Sequence, residues 1–172
     1  MIKKVLQTKS WVIFMLIVGL PILLEWVFPP FPSTTMSRII IPIISVLFGG
    51  GLLLWMYSIA SGLQDNIPSS VKLNFKRFKV IFFLTILLLI IISFVMTLQL
   101  HSTTNLGFIE LLILFVMFGI FYTLVFTART FKTCELQRQV KFSDYAGEFM
   151  IFWFFPLGIF VIQPKVNKLI AN

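Results

Sequence analysis

The chain has 172 residues, of which 59% are hydrophobic and only 12% are charged, and its formal net charge is +8. Soluble domains carry roughly 25% charged residues, so this chain has too little polar surface to coat a soluble globule. The composition therefore predicts a membrane protein that crosses the bilayer several times.

The positive charge lies between the apolar runs of the sequence. This placement is typical of residues that orient a membrane protein and attract anionic lipid, so we do not expect nucleic acid as a partner. The single Cys134 and the single His101 leave no internal disulfide and no Cys/His metal site. Because phosphate-binding glycine loops and hydrolase motifs are also missing from the sequence, we expect no cofactor, no metal and no enzymatic activity.

The first apolar run predicts a transmembrane helix over about residues 11–28, after a start that contains Lys3, Lys4 and Lys9. A signal peptide is the competing interpretation, but no small-x-small cleavage site follows the run. Prolines at 29, 30 and 32 end this helix. A second helix is expected over about 39–60, with Pro42 in its first turn and with Gly49-Gly50-Gly51 kept helical by the lipid.

The connection 61–79 is polar and basic. Ser69 or Ser70 is the expected N-cap of a short amphipathic helix, whose apolar side chains Val71, Phe75 and Phe78 share one face. Its basic side chains are the candidates for contact with anionic lipid headgroups, namely Lys72, Lys76, Arg77 and Lys79.

Two further transmembrane helices are predicted over about 80–100 and 107–128. The polar stretch 129–140 contains no Pro or Gly, so we expect the fourth helix to continue beyond the membrane into water. Ser143 is the expected N-cap of the next helix, with Asp144 and Glu148 near its positive end. Together with Tyr145 this turn forms a contact point for a partner or lipid, unless it serves capping alone.

The last apolar segment, 149–163, is too short to cross a bilayer comfortably. We expect a re-entrant element with both ends in the cytoplasm and a bend at Pro156-Leu157-Gly158. Gln163 and Pro164 then end the segment, and Lys165 anchors it at the surface. A short, kinked fifth crossing is the alternative.

The basic residues determine the orientation. The N-terminus holds three, and the connections 61–79 and 129–148 hold four each, whereas Arg38 is the only base in the opposite loops. By the positive-inside rule the N-terminus and both connections are cytoplasmic.

Two sets of residues are candidates for further roles. Glu25, His101 and Glu110 lie near the outer ends of helices and form either an ionisable cluster or separate solvated residues. Small residues at a spacing of four predict close helix packing at Ser45 and Gly49 and at Gly119 and Thr123. We expect Trp55 among the tryptophans of the interfacial belt and Cys134 to be an inert thiol.

Three segments carry a resemblance: IPSSVKLNFKRFK (67–79), ELQRQVKFSDYAGEF (135–149) and WFFPLGIFVIQPKVNK (153–168). With them the chain resembles a group of small bacterial polytopic membrane proteins that have no assigned reaction and end in a WFFPxG…QPxxN-type segment. The resemblance covers most of the chain, although Leu157 and Phe160 replace the expected Ile and Trp. It implies a protein of the bacterial cytoplasmic membrane.

The sequence thus predicts one all-α membrane domain over 1–172, with four transmembrane helices and a short fifth hydrophobic element. The expected function is that of a non-enzymatic scaffold or subunit of a membrane complex, whose basic cytoplasmic face binds anionic lipid. The expected partners are membrane lipids and either further copies of the chain or another membrane protein. The alternative is a small oligomeric transporter or channel built around the bend at Pro156-Gly158.

Overall fold

The computed structural model describes residues 6–27, 35–97 and 106–171. This part of the chain is helical and contains no strand, which confirms the predicted all-α class. The α-helices are α1 (Ser10–Phe14), α2 (Leu20–Val27), α3 (Thr35–Gly62), α4 (Phe75–Thr97), α5 (Leu106–Leu136), α6 (Phe142–Trp153) and α7 (Phe155–Ala171). A π-helical stretch, Met15–Gly19, joins α1 to α2, and a 3₁₀ helix, Gln64–Asn66, follows α3.

Four helical segments are long and apolar enough to cross a membrane: Ser10–Val27, Ile40–Asn66, Phe75–Val95 and Gly107–Leu136. They correspond to the four predicted transmembrane helices, and large apolar side chains such as Phe118 (67% exposed) cover their outer surface. In water such exposure would be unfavourable, whereas lipid solvates it.

The second predicted helix begins earlier than expected. Because α3 starts at Thr35, Pro42 lies inside the helix rather than in its first turn. The helix continues through Gly49-Gly50-Gly51 as predicted. A Cβ at Gly51 would lie 3.5 Å from Ile17, and a Cβ at Gly49 would lie 3.5 Å from Leu89. Both are ordinary van der Waals distances, so neighbouring elements pack against α3 beside these glycines from two sides.

The short basic helix predicted before the third span is absent, because residues 69–74 are not helical. Neither Ser69 nor Ser70 is the N-cap. Instead, Asn74 Oδ1 accepts a hydrogen bond from the backbone N–H of Arg77 at 3.0 Å, and α4 begins at Phe75. An asparagine that accepts from the first turn satisfies one of the unpaired N–H groups of a helix start.

The fourth predicted helix does extend beyond residue 128, and one face of the extension packs against the protein. In α5, which ends at Leu136, the side chains of Ala128, Phe131 and Cys134 are at most 2% exposed. The helix end is terminated by Gln137, whose φ of 51° is the left-handed conformation common after helices.

The predictions for the C-terminal segment need three corrections. Helix α6 begins at Phe142 with Lys141 as N-cap, so Ser143 lies inside the first turn. The break between α6 and α7 is at Phe154, two residues before the predicted bend at Pro156. Pro164 does not end the segment, because it lies inside α7, which continues to Ala171.

We call Phe142–Ala171 the α6–α7 hairpin, and we call the end of the bundle where α3 and α5 finish and α4 starts the basic end. Helix α6 runs away from the basic end. Lys132 near the end of α5 contacts Glu148, whereas Trp153 at the end of α6 lies beside Phe121, with ring centroids 6.4 Å apart. Phe121 precedes Lys132 on α5 by three turns, which is about 16 Å at 1.5 Å per residue.

Helix α7 returns to the basic end alongside α3. Its first residue, Phe155, packs edge-on against Phe48, with ring centroids 5.4 Å apart. Near its last turn, the Leu169 carbonyl accepts a hydrogen bond of 3.0 Å from Asn66 Nδ2, beyond the end of α3. Both ends of the α6–α7 hairpin therefore lie at the same end of the bundle.

A tight turn joins the two helices of the hairpin. The backbone N–H of Gly158 donates to the Phe154 carbonyl at 3.0 Å. A Cβ at Gly158 would clash with the backbone carbonyl of Ile151 in α6. Glycine is needed here because the backbones of α6 and α7 touch.

Candidate lipid-binding surface at the basic end

The four basic residues predicted to contact lipid are all exposed. They are Lys72, in the non-helical stretch after the 3₁₀ helix, and Lys76, Arg77 and Lys79, in the first turns of α4. Two apolar side chains hold this stretch on the bundle, because Val71 is 8% exposed and Phe78 is fully buried. These buried apolar side chains thus hold the segment in place while its basic side chains remain at the surface.

An aromatic stack fixes the first turns of α4. Phe78 stacks on Phe126 of α5 with ring centroids 4.2 Å apart. Tyr57 of α3 stacks on Phe82 at 4.6 Å. Offset aromatic pairs at such distances stabilise packing beyond the area that they bury. The basic segment is therefore positioned by rigid rings from three helices.

Two of the four bases line a concavity of about 670 Å³ between the 3₁₀ helix and α4. Its lining residues are Gln64, Ile67, Pro68, Ser69, Val71, Lys72, Leu73, Asn74, Phe75 and Lys76. Arg77 and Lys79 lie outside this lining, and Lys79 Nζ sits over the Phe75 ring, 4.8 Å from its centroid. The basic surface thus has two parts with different surroundings.

A buried polar centre holds the α6–α7 hairpin to the rest of the bundle. Trp55 Nε1 of α3 donates to Gln163 Oε1 at 2.8 Å, and Gln163 Nε2 donates to the Leu6 carbonyl at 2.6 Å. The Asn167 amide lies 3.1 Å from the same nitrogen. Gln163 is fully buried, so a single side chain joins the N-terminal segment, α3 and α7. Trp55 is only 3% exposed, and its prediction as an interfacial belt residue is wrong.

An ion-pair network connects α5 to α6. Lys132 Nζ lies 2.7 Å from Glu148 and 2.7 Å from Glu135. Glu148 is mostly buried, and a buried carboxylate needs such a partner because an unpaired buried charge is strongly unfavourable. We predicted that Glu148 serves in helix capping or in contact with a partner. In the structure its carboxylate instead pairs with Lys132 inside the protein.

The N-terminus of α6 is held by Asp144. Its carboxylate accepts a hydrogen bond of 2.9 Å from the Lys141 backbone N–H and pairs with Arg138 at 3.1 Å. The Lys141 hydrogen bond, together with Arg138, lowers the pKa of Asp144 below its ordinary value. Ser143 is exposed beside it, and Tyr145 is buried.

The predicted ionisable cluster is only partly described. Glu25 lines a small concavity with Pro21, Ile22, Ile44, Ser45 and Phe48. Glu110 is exposed on α5. His101 lies outside the described residues, so the cluster of three remains a prediction. Within the described ranges, no three His, Cys, Asp or Glu side chains are arranged to hold a metal ion.

The four small residues predicted to pack helices together, Ser45, Gly49, Gly119 and Thr123, differ in what they contact. Gly119 lies against Thr85 of α4, where a Cβ would clash with the threonine side chain. Thr123 is fully buried, and its hydroxyl donates to the Gly119 carbonyl at 2.9 Å. Gly49 faces α4, whereas Ser45 donates within its own helix to Ile41 and lies on the side of α2. Ser45 is exposed, so Gly49 is the member of this pair that packs against a neighbouring helix.

Sequence reasoning missed Gln64 and Asn74, and it assigned Trp55 to the wrong surroundings. Asn74 carries a usable signal, since an asparagine directly before a helical run is a typical N-cap. Gln64 bonds to Ala60, four positions earlier, and its place depends on the 3₁₀ helix that follows α3. Trp55 carries no local signal, because its partner Gln163 is 108 positions away.

Comparisons of the chain with protein-family models, with curated proteins and with solved structures found no match.

Proposed function

We propose that this protein is a non-enzymatic multi-pass membrane protein that serves as a scaffold or subunit of a membrane complex and binds anionic lipid at its basic end. The observation that carries the proposal is the fixed, exposed group of bases at the start of α4, beside a concavity of about 670 Å³. Each Lys or Arg near an anionic surface contributes about 1 kcal/mol to attraction.

The orientation follows from the same charges. The basic end faces the cytoplasm, because bases on the connections 61–79 and 129–148 retain their loops there. The membrane would be the bacterial cytoplasmic membrane, on the strength of the resemblance described above.

The α6–α7 hairpin belongs to this proposal as a re-entrant element. Its two ends lie at the basic end, and its turn lies beside Phe48 and Phe121 in the middle of apolar helices. Irregular backbone at such depth is tolerated where it packs against protein. Phe152 and Ile159 on either side of the turn are fully buried, whereas Phe154 at the turn is 61% exposed.

A structural role is favoured by how the buried polar groups are used. Gln163 and the Lys132–Glu148 pair join segments of the protein to one another, and Thr123 donates within its own helix. The concavity beside the turn is lined by apolar side chains only, namely Leu114, Met117, Phe118, Ile120, Phe121 and Trp153. A channel at the bend would need polar groups there, so we rank that alternative lower.

The lipid proposal is tested with two variants of equal charge. In one, Lys72, Lys76, Arg77 and Lys79 are replaced by Gln; in the other, Lys9, Lys141, Lys165 and Lys168 are replaced, which are also exposed. Binding of phosphatidylglycerol and of phosphatidylcholine is titrated on purified full-length protein. We expect the first variant to lose most of its preference for phosphatidylglycerol and the second to keep it. Equal binding by both variants and the wild type would refute a lipid-binding role.

The scaffold proposal has a separate test. Native mass spectrometry after mild solubilisation is expected to show the chain with a second copy or with another protein. A lone monomer under these conditions contradicts a role as a subunit.

A further inference from the structure

We propose that the concavity between the 3₁₀ helix and α4 is a discrete site for the phosphate headgroup of one anionic lipid molecule. This inference rests on the proposed function and sharpens it, because a basic surface can also attract lipid diffusely, without any defined site.

The chemistry of the lining fits a phosphate that carries a hydroxyl-bearing substituent. Lys72 and Lys76 supply positive charge. Asn74 Oδ1 accepts from the Arg77 backbone N–H, and the side-chain amide of Asn74 still carries N–H donors for a ligand. Gln64 has the opposite polarity, because its Nε2 already donates to the Ala60 carbonyl at 2.6 Å and its oxygen remains as an acceptor. Cations with N–H donors recognise phosphate oxygens, and an amide oxygen recognises a hydroxyl group.

The apolar part of the lining favours a lipid over a free phosphate ion. Ile67, Val71 and Leu73 contribute hydrocarbon surface to the same concavity. Sites for small inorganic anions gain nothing from such walls, whereas the glycerol region of a lipid does.

A continuous apolar stripe leads from the concavity along α4. Lys76, Val80, Phe83 and Leu87 follow one another at spacings of four, three and four, so they share one face of the helix. The three apolar side chains are 63%, 58% and 54% exposed. An acyl chain can lie along this stripe while its headgroup occupies the concavity.

The four bases divide into two matched pairs, and this division makes the inference testable. Lys72 and Lys76 line the concavity, whereas Arg77 and Lys79 belong to the same segment but lie outside the lining. A diffuse surface responds equally to the loss of either pair, since each pair carries two charges. A discrete site responds chiefly to the loss of the lining pair.

The experiment measures phosphatidylglycerol bound to the purified full-length protein by native mass spectrometry across a lipid titration. The variants are Lys72→Gln/Lys76→Gln and Arg77→Gln/Lys79→Gln. We expect one tightly bound lipid per wild-type chain, and affinity reduced roughly 30-fold in the lining pair, as two Lys contacts imply. The outer pair is expected to change affinity less than about 5-fold, the equivalent of one such contact.

A competition arm identifies the source of the phosphate. Inorganic phosphate and glycerol 1-phosphate are added to the lipid-loaded protein, and neither is expected to displace the lipid. Displacement by inorganic phosphate overturns the assignment to a lipid.

The outcomes separate this inference from the function on which it rests. Equal losses in the two pairs overturn the discrete site and leave lipid binding at the basic end intact. No loss in either pair, combined with no loss when all four bases are replaced, overturns both. Melting temperatures of the two variants, matched to within a few degrees, verify that both fold.

Discussion

Replacing Gln163 by Leu should release the α6–α7 hairpin from the bundle without changing the shape of the core. The two side chains are similar in volume, so the packing cost is small. The substitution removes the acceptor of the Trp55 N–H and the donor to the Leu6 carbonyl, at 2.8 and 2.6 Å. Both groups stay buried, since Trp55 and Leu6 are 3% and 1% exposed.

The magnitude follows from these two unpaired groups. A buried polar group left without a partner costs about 1–3 kcal/mol, which gives about 2–6 kcal/mol for the pair. Hydrogen bonds between membrane helices average only about 0.6 kcal/mol, so the lower part of this range applies. We expect the hairpin to be destabilised by about 3 kcal/mol, which raises the population of the released state roughly 100-fold.

The single cysteine provides the assay. Cys134 is 2% exposed, donates to the Leu63 carbonyl at 3.3 Å and belongs to the same core cluster as Ile159 and Ile162 of α7. We expect release of the hairpin to open this cluster and expose the thiol, so the rate of maleimide labelling in the Gln163→Leu variant should rise roughly 100-fold, in step with the released population.

A matched control and a double variant complete this test. Gln139 is exposed, and Gln139→Leu should leave the labelling rate unchanged. In Gln163→Leu/Trp55→Phe the unpaired indole N–H is also removed, so the double variant should cost less than the two single variants together. If labelling of Gln163→Leu matches that of the wild type, the buried polar centre does not hold the hairpin in place.

Three further predictions concern the contacts of α4, α5 and the hairpin. Gly119→Ala should lower stability by about 1–3 kcal/mol, because its methyl group clashes with Thr85; thermal unfolding in detergent measures this, and a neutral result contradicts the close helix approach. Gly158→Ala should speed Cys134 labelling, since its methyl group meets the α6 backbone, whereas Gly147→Ala, with no atom within 4 Å of the added Cβ, should not. Asp144 has a lowered folded-state pKa, so its stabilising effect is present above its ordinary pKa of 3.8 and is lost as the pH falls through the lower folded value. The melting temperature of Asp144→Asn should therefore lie below that of the wild type at pH 7 and approach it below pH 3.8, and a difference independent of pH would refute this role.

The long apolar helices could be predicted from sequence because the rule that predicts helices in a membrane is local. Each backbone N–H and C=O must be paired inside its own segment, so an apolar run such as Phe75–Val95 is helical whatever its neighbours are. The same rule explains why Gly49-Gly50-Gly51 stay helical, as expected. Helix starts depend on short polar signals, and there the prediction of Ser69 or Ser70 was wrong while Asn74 is the cap.

The candidate site was only half predictable. The exposure of Lys72 and Lys76 follows from their charge, because a lysine without a partner stays in water. Lys72 and Lys76 line the concavity and Arg77 and Lys79 do not, because of the way the 3₁₀ helix lies beside α4. The composition of the segment does not predict this arrangement.

The amino-acid sequence by itself determined the number of long apolar helices and the positions of the charges, since an apolar run long enough to cross a membrane is visible in the sequence alone. Tertiary structure alone decided where the turn of the hairpin lies and what Gln163 does. Gln163 bonds to Trp55, 108 positions away, and to Leu6, 157 positions away, and such pairs arise only when the segments that carry them pack together. For the same reason Trp55 lies in the core and not at the expected interface. Its N–H donates there to Gln163, a partner that no local pattern predicts.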